Sequence, residues 1–402
     1  MDLLRSTLQS LRAHALRFAL TSLGIVWGAF LLTFLSASME GIDTHFERAT
    51  TKAGPKFVIA WPGSIIENRV GERGARPVEL KPVDIARVQR VHIIEDAAPD
   101  LSLLNQVVRA KGRTKLLQVE GVSARSGRIR NLVPQTGRFL SPIDVGRAQR
   151  VAYLGAVAAE RLYGTANPVG QTLQIESLRF RVVGVGEAKG SQLVGVSGWD
   201  DWSVFIPYTV AQRWFLKHDR IDTAVFAPLT REQSWEAIDR FREVVGLHHG
   251  FAPDLDAALS FFNVHDVLQM LHALFLGFRI FLVTAGGVTL LVGAIGVMNI
   301  MLVVVSERTQ EIGLRKAVGA SDRSIFLQFL AEATSVSGVS GLLGAGLGIS
   351  LARGIAAISP PDGPFSSPPE ISLPLVATVA GALAIVGIVA GVAPALRAAR
   401  VP

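Results

Sequence analysis

Apolar residues gather into four long runs along this chain and elsewhere alternate with polar ones. The runs cover residues 18–38, about 280–305, about 325–349 and about 373–393. Each meets the roughly 20 residues a helix needs to cross the hydrocarbon of a bilayer. Their centres are free of charge, with Glu332 about two turns into the third. The pattern predicts four membrane-spanning helices rather than buried core helices. Residues 39–272, between the first and second runs, have an ordinary mixed pattern. Short β-rich segments predict strands at 56–61, 115–122, 151–154, 171–175, 180–185, 203–206 and 223–226. Helical spacing and start signals predict helices at 82–91, with Pro82 in the first turn, and at 155–163, 209–218 and 231–245. Residues 254–272 read as a helix leading straight into the second span. The expected fold class is therefore a membrane protein: four transmembrane α-helices with a large α+β extracytoplasmic domain between the first and second. The interleaving of strands and helices predicts two lobes in that domain, one inserted into the other.

Residues 1–17 place Leu4, Leu8, Leu11 and Ala15 at helical spacing, with Arg5, Gln9 and Arg12 elsewhere around the cylinder. An amphipathic helix lying in the headgroup region and a simple continuation of the first span both fit this pattern. The apolar run that follows is longer than the core of a cleaved signal peptide, so an uncleaved signal anchor is expected.

Composition agrees with a membrane class. Of 402 residues, 49% are hydrophobic and only 18% charged, and the mean hydropathy is +0.38. A soluble chain carries nearer a quarter charged residues. The basic flanks give orientation: Arg5, Arg12 and Arg17 precede the first span, Arg308, Arg315, Lys316 and Arg323 separate the second from the third, and Arg397 and Arg400 follow the fourth. Such flanks stay inside, so both termini and the 306–324 loop are expected in the cytoplasm of a multi-pass inner (plasma) membrane protein. Arg353 is the one contrary charge. The formal charge of +7 comes without any recognition motif, so nucleic-acid binding is set aside. With no cysteine, disulfides and thiolate chemistry are excluded.

Three Gly-x-x-x-Gly spacings punctuate the spans: Gly24 with Gly28, Gly344 with Gly348, and Gly387 with Gly391. Each permits close helix approach, either within one chain or in a dimer. The loop after the second span has denser information. Glu311 and Arg315 stand at i, i+4 in the favourable order for a short helix. Ile312, Leu314 and Val318 add apolar contact surface, Gly319 is a C-terminal stop, and Ser321 caps the next helix.

The stretch Ser306-Glu-Arg-Thr-Gln-Glu-Ile-Gly-Leu-Arg-Lys-Ala-Val-Gly-Ala320, preceded by Met298-Asn-Ile-Met301 and followed by Phe329-Leu-Ala-Glu-Ala333, resembles the MacB- and FtsX-like permeases of ATP-driven (ABC) transporters. Leu11-Arg-Ala-His-Ala-Leu-Arg-Phe-Ala-Leu-Thr-Ser-Leu-Gly-Ile25 is similar to that family's entry into the first span, with His14 where asparagine is usual. Gly137-Arg-Phe-Leu-Ser-Pro-Ile-Asp144, Arg150-Val-Ala-Tyr-Leu-Gly155, Asn167-Pro-Val-Gly-Gln171 and Phe180-Arg-Val-Val-Gly-Val185 resemble its MacB-type periplasmic core.

The resemblance implies a permease dimer, homomeric or heteromeric, that works by mechanotransmission and has no aqueous path through the bilayer. It divides the chain into an amphipathic helix at 1–17, a first span at 18–38, a periplasmic core at 39–272, stalk and second span at 273–305, a coupling loop at 306–324, a third span at 325–358, an external loop at 359–372, and a fourth span with tail at 373–402. Glu307, Arg308, Glu311, Ile312, Leu314, Arg315 and Lys316 become the residues that contact an ABC ATPase, and Glu332 the polar residue within a span. Glu332 is expected to make a polar contact with the coupling region or a neighbouring span. No Gly-x-x-x-x-Gly-Lys-Ser/Thr loop occurs, so no cofactor is expected to bind directly and ATP is used by a separate partner subunit. A periplasmic adaptor and an outer-membrane channel are further candidate partners. Export of an amphipathic compound, peptide or lipid-linked molecule is the leading expectation. An FtsX-like transducer regulating a cell-wall hydrolase and a lipoprotein-releasing permease stand as alternatives. No catalytic or metal residues are expected: there is no hydrolase motif, and His248-His249 and the His265/His272 pair have no carboxylate at ligand spacing.

Overall fold

A computed structural model describes residues 15–401 except 55, 70–71, 191, 193–194 and 361–372. Nearly all of the expected amphipathic segment at 1–17 and of the external loop at 359–372 lies outside the described residues. The chain forms two units, one from Met1–His45 with His272–Pro402 and the other from Phe46–Leu271.

The first unit is helical. It is built from α1 (Ala15–Ala53), a second long helix (Val264–Glu307), a short one (Thr309–Ala317), and two more long ones (Asp322–Ile358 and Leu373–Ala399). All four long helices are long and apolar enough to cross a membrane. Leu342, Leu347, Leu351, Ile385 and Ile388 point outward and are exposed, as a lipid-facing surface requires. The predicted glycines lie where backbones meet. A Cβ on Gly24 would come 3.1 Å from the Cα of Gly293, and one on Gly28 2.9 Å from the Leu290 side chain. A Cβ on Gly344 would stand only 2.2 Å from the Val26 carbonyl oxygen, and one on Gly348 2.8 Å from that of Phe30. Gly387 and Gly391 meet Thr334 and Leu330 in the same way. All six glycines are engaged within one chain. The hydroxyls of Thr33, Thr284 and Thr334 bond the carbonyls of Ala29, Ile280 and Leu330 one turn back, so they cost little to bury.

The second unit is α+β. Its strands are β1 (Val58–Pro62), β2 (Ser64–Arg69), β3 (Glu72–Pro77), β4 (Ile94–Ala110), β5 (Arg113–Val122), β6 (Pro134–Gly137), β7 (Val151–Leu154), β8 (Thr172–Ile175), β9 (Leu178–Gly186), β10 (Ser203–Pro207), β11 (Thr223–Pro228) and β12 (Leu259–Asn263). Its helices are α2 (Pro82–Val88), α3 (Ala124–Ile129), α4 (Pro142–Gly146), α5 (Ala156–Tyr163) and α6 (Ser234–His249), so the long helices of the first unit become α7 (Val264–Glu307), α9 (Asp322–Ile358) and α10 (Leu373–Ala399), with α8 (Thr309–Ala317) between. β2 and β3 form a hairpin, and the other ten strands form one sheet in the order β12-β1-β11-β4-β5-β10-β7-β9-β6, with β8 on β4 and β9. The two expected lobes thus share a sheet, because β4 runs 17 residues across both halves with a register shift at Ser102/Asn105.

The strands at 151–154, 203–206 and 223–226 form as expected. The helix expected at 254–272 does not: β12 occupies residues 259–263 and pairs with β1, and α7 begins only at Val264. Alternating Leu259, Phe261 and Asn263 suit a strand, and the Asn263 side-chain oxygen accepts the His265 N–H, capping the new helix. α6 covers the sheet through Phe241, stacked 4.8 Å from Phe226.

Within this unit lies a charge cluster with no sequence signature. The guanidinium of Arg130, 1% exposed, donates to Asp100 at 3.0 Å, to Glu120 at 2.7 Å and to Asp200. Lys189 donates to Asp200 at 2.7 Å and to the Arg130 carbonyl at 2.6 Å. Ser126 donates to Asp100 and Ser203 to Glu120. Three carboxylates therefore face two cations. Burial pushes Asp100 up to about 7 against the pull of Arg130 and of the Ser126 hydrogen bond. Burial also raises Asp200, but Arg130 and Lys189 outweigh it and hold that carboxyl below its usual range.

Two outcomes follow from these contacts. Gly344→Ala forces α1 away from α9 and lowers the thermal unfolding midpoint of the detergent-solubilised chain, an overpacking cost of about 1–3 kcal/mol. Gly346→Ala, with nothing within 4 Å of its added methyl, leaves the midpoint unchanged or raised. Asp100 holds its proton more tightly folded than unfolded, so its contribution to stability is full below about pH 4 and is lost as pH rises through about 7. Urea denaturation across that window is expected to show this decline, at most about 1.4 kcal/mol per pH unit for one proton, and Asp100→Asn to flatten it. An unchanged slope in the variant would assign the titration to another group.

Candidate functional site

The join between α7 and α9 holds most of the residues singled out in the sequence. α7 ends at Glu307, and only Arg308 (φ −95°, ψ 11°) separates it from α8. Thr309 Oγ1 donates to the carbonyls of Val305 and Ser306 at 3.1 and 2.9 Å, which holds the two helices in a fixed bend. α8 carries Glu311 in its first turn and Arg315 and Lys316 in its last, the arrangement its dipole favours. It stops where Gly319 takes φ +108°, a conformation open to glycine. Ser321 then caps α9, accepting the N–H of Ser324.

α8 is mounted by three inward residues. Ile312 is 3% exposed and belongs to the same buried cluster as Val304, Ile325, Phe329 and Ala398. Lys316 donates to the Ala399 carbonyl at 3.0 Å and to that of Val401, and pairs with Asp322 at 2.9 Å. Arg308 lies 3.8 Å from Glu332 and 3.4 Å from Glu311. Glu311 in turn pairs with Arg315 at 2.7 Å, and Arg315 donates to Gln328 at 3.1 Å. A continuous polar chain thus runs Gln328–Arg315–Glu311–Arg308–Glu332 along the base of α9.

The expected contact residues therefore divide by direction. Ile312, Arg308 and Lys316 are turned toward their own helices, which leaves Ile312 no surface for a partner. Glu307, Glu311, Leu314 and Arg315 are exposed, Leu314 by 69%. Gln310 and Val318, the latter 85% exposed, complete the outward stripe. Residues 310, 311, 314, 315 and 318 recur at helical spacing, so they form one face of α8 and its closing turn, with amide, acid, base and two exposed aliphatic side chains. Gln328 and the Ala399 and Val401 carbonyls escaped sequence reading, because they belong to other helices. Gln310 carried a readable signal: it lies one turn before Leu314.

Residues 18–242 match the MacB-like periplasmic core domain, and residues 283–402 match the FtsX-like permease C-terminal domain. A macrolide export ATP-binding/permease protein, MacB, from Bdellovibrio bacteriovorus is 30% identical over 98% of this chain and 59% of its own length. A probable syringafactin export ATP-binding/permease protein, SyfD, from Pseudomonas syringae pv. tomato is 30% identical over 97% of this chain and 56% of its own length. The chain thus spans less than two thirds of the length of these relatives. Among solved structures, the periplasmic region of MacB from Actinobacillus actinomycetemcomitans aligns at 19% identity and a TM-score of 0.44, covering 56% of this chain and 95% of that one.

Proposed function

The chain belongs to the family of MacB-like and FtsX-like permeases, and on that premise we propose that it is the permease part of an ABC-type exporter, driven through α8 by an ABC ATPase. One observation carries this reading: α8 is clamped to its own bundle on one side by Ile312, Arg308 and Lys316, and presents Leu314 and Val318 to solvent on the opposite side. A solvated loop has no need of such a mount. A helix that takes up a push does, since force reaches α7 only if α8 cannot slip. Leu314 and Val318 fill apolar hollows on the ATPase, while Glu311 and Arg315 fix the register. No phosphate-binding loop occurs in residues 1–402, so nucleotide is held outside them.

In this reading α8 lies on the cytoplasmic side with both termini, which the basic flanks favour. ATP-driven closure of the ATPase shifts α8, and α7 passes the shift along its axis. α7 is 44 residues long, roughly 66 Å at 1.5 Å per residue, about twice the hydrocarbon thickness. One uninterrupted helix can therefore reach from the inner surface to the extracytoplasmic segment. The moving segment acts on an amphipathic compound, peptide or lipid-linked molecule outside the membrane, in keeping with the export role in the relatives' names. Export is favoured over transduction to a cell-wall hydrolase by the MacB-like match across residues 18–242. The permease works as a dimer, with a periplasmic adaptor and an outer-membrane channel as its remaining partners.

The outward stripe gives a clean test, because its aliphatic residues touch nothing that α8 needs to fold. Leu314→Gln with Val318→Gln, which adds no charge against the α8 dipole, is expected to leave the unfolding midpoint of the chain unchanged. The same pair should cut ATPase copurification and transport-linked ATP hydrolysis by about tenfold or more, the loss of two central contacts. The cysteine-free background allows the complement: Leu314→Cys should crosslink to the ATPase in native membranes. Normal hydrolysis and transport in the double variant, with no crosslink, would remove α8 as the docking helix.

A further inference from the structure

We propose that Asp84, His248 and His249 form a binding site for a divalent transition metal, of the kind zinc occupies, which clasps α2 to the end of α6. The fold brings together residues 165 positions apart: Asp84 sits in the first turn of α2, and the two histidines are the last residues of α6. The nearest donor atoms of all three lie within 4.8 Å of one another. Nε2 of His249 is 3.0 Å from Oδ2 of Asp84, and Nε2 of His248 is 3.6 Å from Oδ1. A tetrahedral zinc with bonds of about 2.0–2.1 Å sets its ligand atoms about 3.3 Å apart; the 3.6 Å from His248 to Oδ1 is close to that spacing, and His249 bonds the other oxygen of the same carboxylate. The imidazole rings stand nearly perpendicular, at 80° with centroids 5.1 Å apart, so neither stacks over the other and each offers a nitrogen within 4.8 Å of the other donors.

A second observation points to a missing partner. Asp84 is 1% exposed, and its Oδ1 is buried without a hydrogen bond. Oδ2 is satisfied by the Lys81 N–H at 2.9 Å and by His249. Arg87 approaches Oδ1 only to 3.8 Å and is itself 41% exposed, so it can swing out to solvent. An unsatisfied buried carboxylate oxygen costs about 1–3 kcal/mol, and a cation between it and the imidazoles removes that cost. The C-terminal end of α6 adds a favourable negative dipole. Arg76 donates to the His249 carbonyl at 3.0 Å, and Gly250 closes the helix at φ +71°, which together hold the backbone at the end of α6. His248 is 38% exposed at its side chain, so the fourth ligand position opens to water. Two imidazoles, one carboxylate and an open vertex suit zinc, cobalt(II) or nickel(II) rather than calcium or magnesium.

The test uses the full chain in detergent micelles, purified through a tag without histidine and stripped with chelator. Titration with zinc chloride by calorimetry is expected to give one ion per chain with micromolar or tighter affinity. His248→Ala, His249→Ala and Asp84→Asn each weaken it about tenfold or more, while His265→Ala and His272→Ala leave it unchanged. Zinc should raise the thermal midpoint of the unaltered chain and not of the His248→Ala variant, whose half-exposed ring contributes little to folding. Cobalt(II) bound in place of zinc should show intense visible absorption of tetrahedral type, lost in the same variants. Absence of saturable binding, or binding undiminished in both His248→Ala and His249→Ala, would overturn the site.

Discussion

In hydrocarbon no aqueous driving force presses helices together, so the helical unit depends on how closely its backbones can approach. That approach is set at a few glycines. Gly24 against Gly293 brings α1 onto α7, Gly344 and Gly348 bring α9 onto the carbonyls of Val26 and Phe30, and Gly387 and Gly391 seat α10 on α9. Dispersion falls steeply with distance, and a single methyl group would open each of these contacts. The mount of α8 inherits this precision. Ile312 packs among side chains from α7, α9 and α10, so its socket exists only while those helices hold their spacing.

The two units solve the problem of specificity by opposite means. The helical unit uses close apolar contact, and Glu332, inside α9, faces Arg308 at 3.8 Å. The sheet unit buries charge outright. Arg130 links β4, β5 and the turn at Asp200, and removing it would leave Asp100 and Glu120 without a cation and Asp200 with Lys189 alone, a loss of about 3–5 kcal/mol. A buried network of this kind fixes which strands pair and at what register, since any slip breaks several charged hydrogen bonds at once.

The four apolar runs were legible because membrane helices are specified by local composition. Strands such as 151–154 and 203–207 were legible because β-branched and aromatic residues crowd into short segments. β4 was not: Ala97, Ala98, Pro99 and Asp100 have poor strand propensity, and only neighbours β11 and β5 hold them extended. The helix expected over 254–272 failed in its first half because Leu259–Asn263 pair with β1, as strand-favouring Phe261 and Phe262 allow, and helical structure starts only at Val264. At the join of α7 and α9 the short helix was legible and the directions of its side chains were not. Ile312 and Leu314 look equivalent in sequence, and only the surrounding helices decide that one is buried and the other bare. The Arg130 cluster escaped altogether, and His248-His249 was set aside for want of a nearby carboxylate, because Asp84 lies 165 positions away in sequence.

The contact of Gly344 with Val26 also bears on biosynthesis. The partners are separated by 318 positions. At typical synthesis rates of about 5–20 residues per second, α1 enters the bilayer roughly a quarter of a minute to a minute before α9 exists to receive it. The first span must therefore wait in lipid with its small-residue face uncovered, while the whole sheet unit is made, translocated and folded.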